Sequence, residues 1–179
     1  MGSITEQILL HLYNCYDYGF SYRLKKGLFL IDDPASRWKK RDGKQIKQGI
    51  RDLNKQKFIE KKENYDGSVL VSLTKKGKLR AINIGFKRLC SKKEIWDGKW
   101  RMVAFDIPDV CKKGRNALRY RIRLAGFYEL QESLFLYPYD CEREIKDFVK
   151  LFKLEKYVRF ALLDFIDNEE EIKRKMKVE

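Results

Sequence analysis

From residue 100 onward the hydrophobic period switches in a fixed order, and that order constrains the fold more than any other property of the chain. "WRMVAFDIP" alternates, with Val103, Phe105 and Ile107 on one side, and Pro108 stops the run as a strand. "CKKGRNALRYRIRLAGF" has helical spacing through Leu118, Ile122 and Ala125 and closes at Gly126. "YELQESLFLYPY" reads as one bent strand or a tight strand pair. "CEREIKDFVKLFKL" reads as a helix, and "YVRFALLDF" as a strand. The resulting order is βαββαβ. "NEEEIKRKMKVE" follows as a charged tail or a further helix.

A βαββαβ unit predicts a ferredoxin-like domain, here over residues 99–166, with the tail at 167–179. Its helices cover one face of the sheet. The strands are apolar on both faces, since Val158, Phe160 and Leu162 alternate with Ala161, Leu163 and Phe165. The second face therefore needs a cover, and a second copy of the chain across a two-fold axis is the expected one, with packing of the N-terminal domain as the alternative. This makes 99–166 the expected dimerisation domain.

The first half reads differently. "ITEQILLHLYNCY" carries Ile4, Ile8, Leu12 and Tyr16 at helical spacing behind a Ser3 or Thr5 cap. Residues 19–33 fit a loop with a short strand, or an extra element. Asp33 and Pro34 offer a cap and first turn for a second helix. "KQIKQGIRDLNKQKFI" is a third, with the narrow apolar stripe Ile46, Ile50, Leu53. Phe58-Ile59 and residues 69–71 flank "NYDG", a strong hairpin signal. Three helices followed by a hairpin is the plan of a winged helix-turn-helix, expected over 1–88, with a polar linker at 89–98. The fold class is thus α+β.

Charge decides what such a chain meets. Its net charge is +14, and it is concentrated: residues 1–90 hold 20 bases and 9 acids, residues 91–179 hold 20 and 17. A basic first half points to a polyanion, nucleic acid before membrane. No apolar run approaches the length of a membrane span. The N-terminus has no signal-peptide pattern, so a cytoplasmic location is expected. Cys15, Cys90, Cys111 and Cys141 form no CxxC pair and His11 is the one histidine, which argues against a zinc site.

The run "GIRDLNKQKFIE…VSLTKKGK" resembles bacterial winged-helix regulators. The resemblance implies that residues 44–55 enter the major groove and residues 61–66 touch the backbone. Gln45 and Gln48 would then read adenine edges and Arg51 guanine. Lys44, Lys47 and Lys55 would hold phosphates, with Lys61 and Lys62 on the wing. "WDGKWRMVAFDIP" and "LRYRIRLAGFYELQESLFLYP" resemble the central domain of PaaX-type repressors of phenylacetate catabolism. That domain is similar to the small CRISPR-associated endoribonuclease of the spacer-acquisition complex. The shared features are an aromatic-Asp-Ile strand end and the step Gly126, Gln131, Ser133, Leu134. PaaX-type repressors carry a further C-terminal domain, which a chain ending at Glu179 is expected to lack.

The implied function is a transcriptional regulator, a repressor, binding double-stranded DNA as a homodimer with no cofactor. The alternative is a CRISPR-associated adaptation subunit with an integrase partner, or a magnesium-dependent endoribonuclease or endonuclease. There Asp106 would be the catalytic carboxylate and metal ligand, and magnesium the cofactor. The structural reading of Asp106 is that it closes the strand and caps the turn into the helix near Lys112. On that helix Lys112, Arg115, Arg119 and Arg123 line one stripe, a candidate row of phosphate contacts.

Overall fold

The computed structural model describes residues 3–16, 22–25, 28–29, 43–63, 65, 69–90 and 95–178. The chain divides into two compact units, Met1–Ala81 and Ile82–Glu179. The division falls inside a helix, ahead of the polar 89–98 stretch that the sequence singles out.

The first unit holds α1 (Ile4–Tyr16), β1 (Tyr22–Lys25), β2 (Leu28–Phe29), α2 (Gly43–Lys55), β3 (Ile59–Glu63), β4 (Val69–Leu73) and the start of α3 (Lys75–Leu89). Ser3 caps α1, accepting the Glu6 N–H on its hydroxyl at 3.3 Å. Ile8, Leu9 and Leu12 of α1 and Ile46, Ile50 and Leu53 of α2 are buried, as their spacing predicts. Gly49 sets how closely the helices cross, because a Cβ there would lie 2.7 Å from Ile8 Cδ1. β3 and β4 form the expected hairpin. Within residues 19–33 the described strands form an extra element: β1 and β2 pair with each other, and β1 extends the hairpin in the order β2-β1-β4-β3. The helix expected from Asp33 and Pro34, and the turn residues Asn64, Asp66 and Gly67, lie outside the described residues.

The second unit adds to the end of α3 the elements β5 (Trp100–Phe105), α4 (Lys112–Leu124), β6 (Tyr128–Gln131), β7 (Leu134–Tyr137), α5 (Glu142–Phe152), β8 (Val158–Leu163) and α6 (Glu169–Met176). Its four strands lie in the order β6-β7-β5-β8 with every neighbour antiparallel, the ferredoxin-like arrangement. Gly126 closes α4 at φ +84°, where the Phe127 N–H reaches the Ile122 carbonyl. "YELQESLFLY" is a strand pair with an irregularity between Glu129 and Gln131. Leu118 and Ile122 of α4, Ile145 and Phe148 of α5 and Phe86 of α3 are buried, with the Phe86 and Phe148 rings edge to face. The Tyr137 hydroxyl ties β7 to α3 by donating to the Leu89 carbonyl at 2.8 Å.

The other sheet face departs from the sequence reading. The charged tail is an ordered helix, α6, and its Ile172 buries with Trp100 and Leu136, flanked by Met102, Tyr128 and Leu163. Trp100 Nε1 donates to Glu169 at 2.8 Å, and the Lys173 ammonium sits 4.8 Å from the Trp96 ring centroid. Ile172 and Met176, the two apolar residues of a highly charged octet, thus cover this end of the face from within the chain.

Candidate nucleic-acid interface

α2 has two unlike sides. Ile46, Ile50 and Leu53 face the core, while Lys44, Gln45, Lys47, Gln48, Arg51 and Lys55 are all exposed. Among the described residues Lys47, Arg51 and Lys55 have no ion-pair partner. Gln48 donates to Asp52 at 2.9 Å, one turn along the helix. On β3 only Ile59 is buried, leaving Lys61 and Lys62 outward beside Glu60 and Glu63. Glu60 accepts the Ser72 hydroxyl across the hairpin.

The residues between α2 and β3 fix the hairpin to the end of the helix. Lys57 adopts φ 58° and lets the Phe58 N–H return to the Leu53 carbonyl at 2.9 Å. The Thr74 hydroxyl donates to the Lys57 carbonyl at 2.8 Å and accepts the Gly77 N–H at 3.1 Å, capping α3. A Cβ on Gly77 would stand 2.0 Å from the Phe58 carbonyl oxygen. "LTKKG" is therefore a bracing motif: Thr74 joins the helix exit, the strand and the next cap, and Gly77 permits their approach. Lys76 completes it, donating to the Gln56 carbonyl with its ammonium 4.9 Å from the Phe58 ring centroid.

The arginine row of α4 is differently employed. Arg115 donates to Asp109 at 2.7 Å and to the Ile107 carbonyl at 2.8 Å. Arg119 reaches the Glu132 carbonyl at 3.1 Å. Arg123 clasps Glu129 through two bonds of 2.9 Å, which lowers the glutamate pKa and raises that of the arginine. These side chains tie α4 to the end of β5 and to the β6–β7 hairpin. Phosphate contact would have to exchange those partners. Lys112 is exposed, with no ion pair among the described residues.

Asp106 does not perform the predicted capping. The turn Asp109–Cys111 and α4 have Pro108 and Cys111 at their cap positions, and neither has a side-chain cap bond. Only the Asp106 backbone is engaged, its N–H donating to the Tyr157 carbonyl at 2.9 Å. The exposed carboxylate has no polar partner among the described residues. It lines an open cavity of about 490 Å3 with Gln131, Ser133, Lys156 and Arg159. Two cations beside a single carboxylate do not fit a divalent-metal centre, which needs several anionic or carbonyl oxygens. Among the described residues no three His, Cys, Asp or Glu side chains converge on a metal-sized site.

A further charged pair was hidden in "WDGKWR". Arg101 shares the alternation of Val103, Phe105 and Ile107, the inward side of the strand, and is itself buried. Its guanidinium grips both oxygens of Asp97, at 2.6 and 2.7 Å, and also donates to the Pro138 carbonyl at 2.9 Å. The arginine holds the Asp97 carboxyl down to about 2. Gly98 at φ +78° turns the chain so that the pair can meet, and Trp96 lies against Trp100. The signal was legible only as an acid and an arginine around Asp-Gly.

No helix among the described residues is long and apolar enough to cross a membrane. No curated protein matches the chain at a significant level. Residues 93–174 match the family model described as the PaaX protein central Cas2-like domain.

Proposed function

With a PaaX-type central domain as its second unit, we infer that this chain is a DNA-binding transcriptional regulator, a repressor, that acts as a homodimer. Duplex DNA is the partner, α2 the groove-entering helix and the β3–β4 hairpin the wing. The observation that carries this reading is the row Lys47, Arg51 and Lys55 on the exposed side of α2, without an ion pair among the described residues and braced to a hairpin bearing Lys61 and Lys62. Cations left without acids are what counterion release requires. Gln45, Gln48 and Arg51 supply side chains of the kind that read base edges, and Lys44, Lys47 and Lys55 the kind that hold phosphate. The nuclease reading draws on the exposed Asp106, but the cationic surroundings of that residue disfavour it.

Mapping of bound DNA across the source genome, followed by binding to the recovered duplex and to random duplex, tests the assignment. Arg51→Ala and Gln48→Ala should each cost about 1–3 kcal/mol on the specific site and less on random DNA. Lys47→Ala should weaken both and flatten the salt dependence by about one ion. A genome map without discrete sites, or equal losses for all three variants on both duplexes, would sink it.

A further inference from the structure

α6 covers the open face of the second unit's sheet at one end, over Trp100, Met102 and Leu136. At the other end the strand register sets Gln131 of β6, Leu134 of β7, Ala104 of β5 and Arg159 of β8 in one row across the sheet. Residues opposed on neighbouring strands share a face, so the row points one way. Ala104 is its one small member, and the low point it leaves is the floor of the open cavity of about 490 Å3. Small-molecule sites span roughly 300–1,000 Å3. Backbone bonds pin the walls. The Phe105 N–H donates to the Ser133 carbonyl at 3.0 Å, and the Asp106 N–H to the Tyr157 carbonyl at 2.9 Å. One terminal nitrogen of Arg159 donates to the Glu155, Lys156 and Val158 carbonyls at 3.1 Å each, which fixes that side chain at the start of β8.

The polar groups around this floor have no partners of their own. Among the described residues the side chains of Asp106, Gln131, Ser133, Lys156 and Tyr157 hold no hydrogen bond or ion pair, and the second terminal nitrogen of Arg159 has none either. Elsewhere in this unit arginines and acids are mutually engaged: Arg101 with Asp97, Arg115 with Asp109, Arg123 with Glu129. Here a carboxylate and two cations line one cavity without pairing. We propose that the cavity binds a small zwitterion, a carboxylate and an ammonium group on a short apolar body, the class of an aliphatic α-amino acid. The ligand carboxylate accepts from Arg159 and Lys156, the ammonium donates to Asp106, and the apolar body rests on Ala104 and Leu134. A bare anion would meet Asp106, and a bare cation would meet Lys156 and Arg159. A ligand of both signs leaves every charge in the cavity paired. This assignment is independent of the DNA-binding reading.

The test is isothermal titration of the full chain with leucine, with isocaproate, which lacks the ammonium, and with isopentylamine, which lacks the carboxylate. Leucine should bind, and each of the other two at least about tenfold more weakly, because a charge-assisted bond is lost and a charge is left unpaired. Asp106→Asn should weaken leucine about tenfold and leave isocaproate no weaker than in wild type. Arg159→Gln should weaken leucine and isocaproate alike and leave isopentylamine no weaker. If that variant does not fold, Lys156→Gln carries the same expectation. Ala104→Met fills the floor from the open face and removes no charge. It should abolish leucine binding while circular dichroism and the unfolding transition stay those of wild type. No leucine binding at millimolar concentration, or binding that Ala104→Met leaves intact, would overturn the site. Leucine and isocaproate binding equally, or inorganic phosphate binding where leucine does not, would overturn the zwitterion. Duplex binding by the same samples judges the DNA-binding reading separately.

Discussion

The two units use their basic residues in opposite ways. On α2 the cations Lys47, Arg51 and Lys55 face outward with no acid in reach among the described residues. On α4 the arginines recur at equally helical spacing, yet Arg115, Arg119 and Arg123 each meet an acid: Asp109, Glu132 and Glu129. Spacing along a helix therefore does not separate a polyanion-binding row from a structural one. What separates them is the register of acids on the neighbouring strand and turn. The charge imbalance between the two halves of the chain is the sequence-level shadow of this difference.

Charge reversal breaks the comparison most directly. Lys47→Glu with Arg51→Glu should lower duplex affinity about 100-fold at moderate salt. Arg119→Gln with Arg123→Gln should change it by less than about threefold, because those groups are already engaged and their exposed pairs contribute little. Competition binding on one duplex reads both. Equal losses would mean that the α4 arginines exchange their acids for phosphate.

The same contrast has a stability side. Asp97 and Arg101 form the second unit's best-made pair, a partly sheltered one in which Asp97 is half-exposed. Asp97→Ala strands a buried guanidinium and should cost about 2 kcal/mol in thermal or denaturant unfolding, less than a fully buried pair because water still reaches the site. The pH dependence has a definite sign. The Asp97 carboxyl is lowered from 3.8 to about 2 in the folded chain, so its stabilisation is present above the unfolded value and is lost as pH falls through about 2. Asp97→Asn should be less stable than wild type at neutral pH and converge with it in strong acid. A gap of constant size from pH 7 to pH 2 would detach the effect from this carboxyl. Duplex affinity should be unmoved in both variants.

Much of the fold was legible because it rests on local signals. Ile46, Ile50 and Leu53 announce the buried side of α2, Gly126 announces the end of α4, and Asp-Gly announces the hairpin. The alternation in "WRMVAFDIP" announces a strand. What was not legible depends on long-range register. Glu129 and Glu132 find the α4 arginines only once β6 folds back along the helix. Arg101 faces inward with Val103 and Phe105, but Asp97 reaches it only through the turn at Gly98. Ile172 and Met176 make only one apolar pair in a charged octet, too short a period to announce that α6 covers Trp100 and Leu136. The candidate interface was legible to the extent that exposure of α2 was. That Lys47, Arg51 and Lys55 form no ion pair among the described residues was not.

Asp106 gives the smallest expected effect and the sharpest check on the second unit. Its carboxylate accepts no hydrogen bond among the described residues, and its backbone N–H, which holds the strand end to Tyr157, survives any side-chain change. Asp106→Asn should therefore move unfolding stability by no more than about 0.5 kcal/mol, the range of an unengaged surface site. The change removes a negative charge close to Lys156 and Arg159, so any shift in stability should be a small loss that salt abolishes. Duplex affinity should stay at the wild-type value. Wild type and Asp106→Asn, prepared identically, should both leave RNA and DNA uncut in magnesium, matching a chelated control. Magnesium-dependent cleavage by wild type that vanishes in Asp106→Asn would make the exposed carboxylate a catalytic group. The contrast would then reverse, with the second unit holding the chemistry and α2 serving only to deliver the nucleic acid.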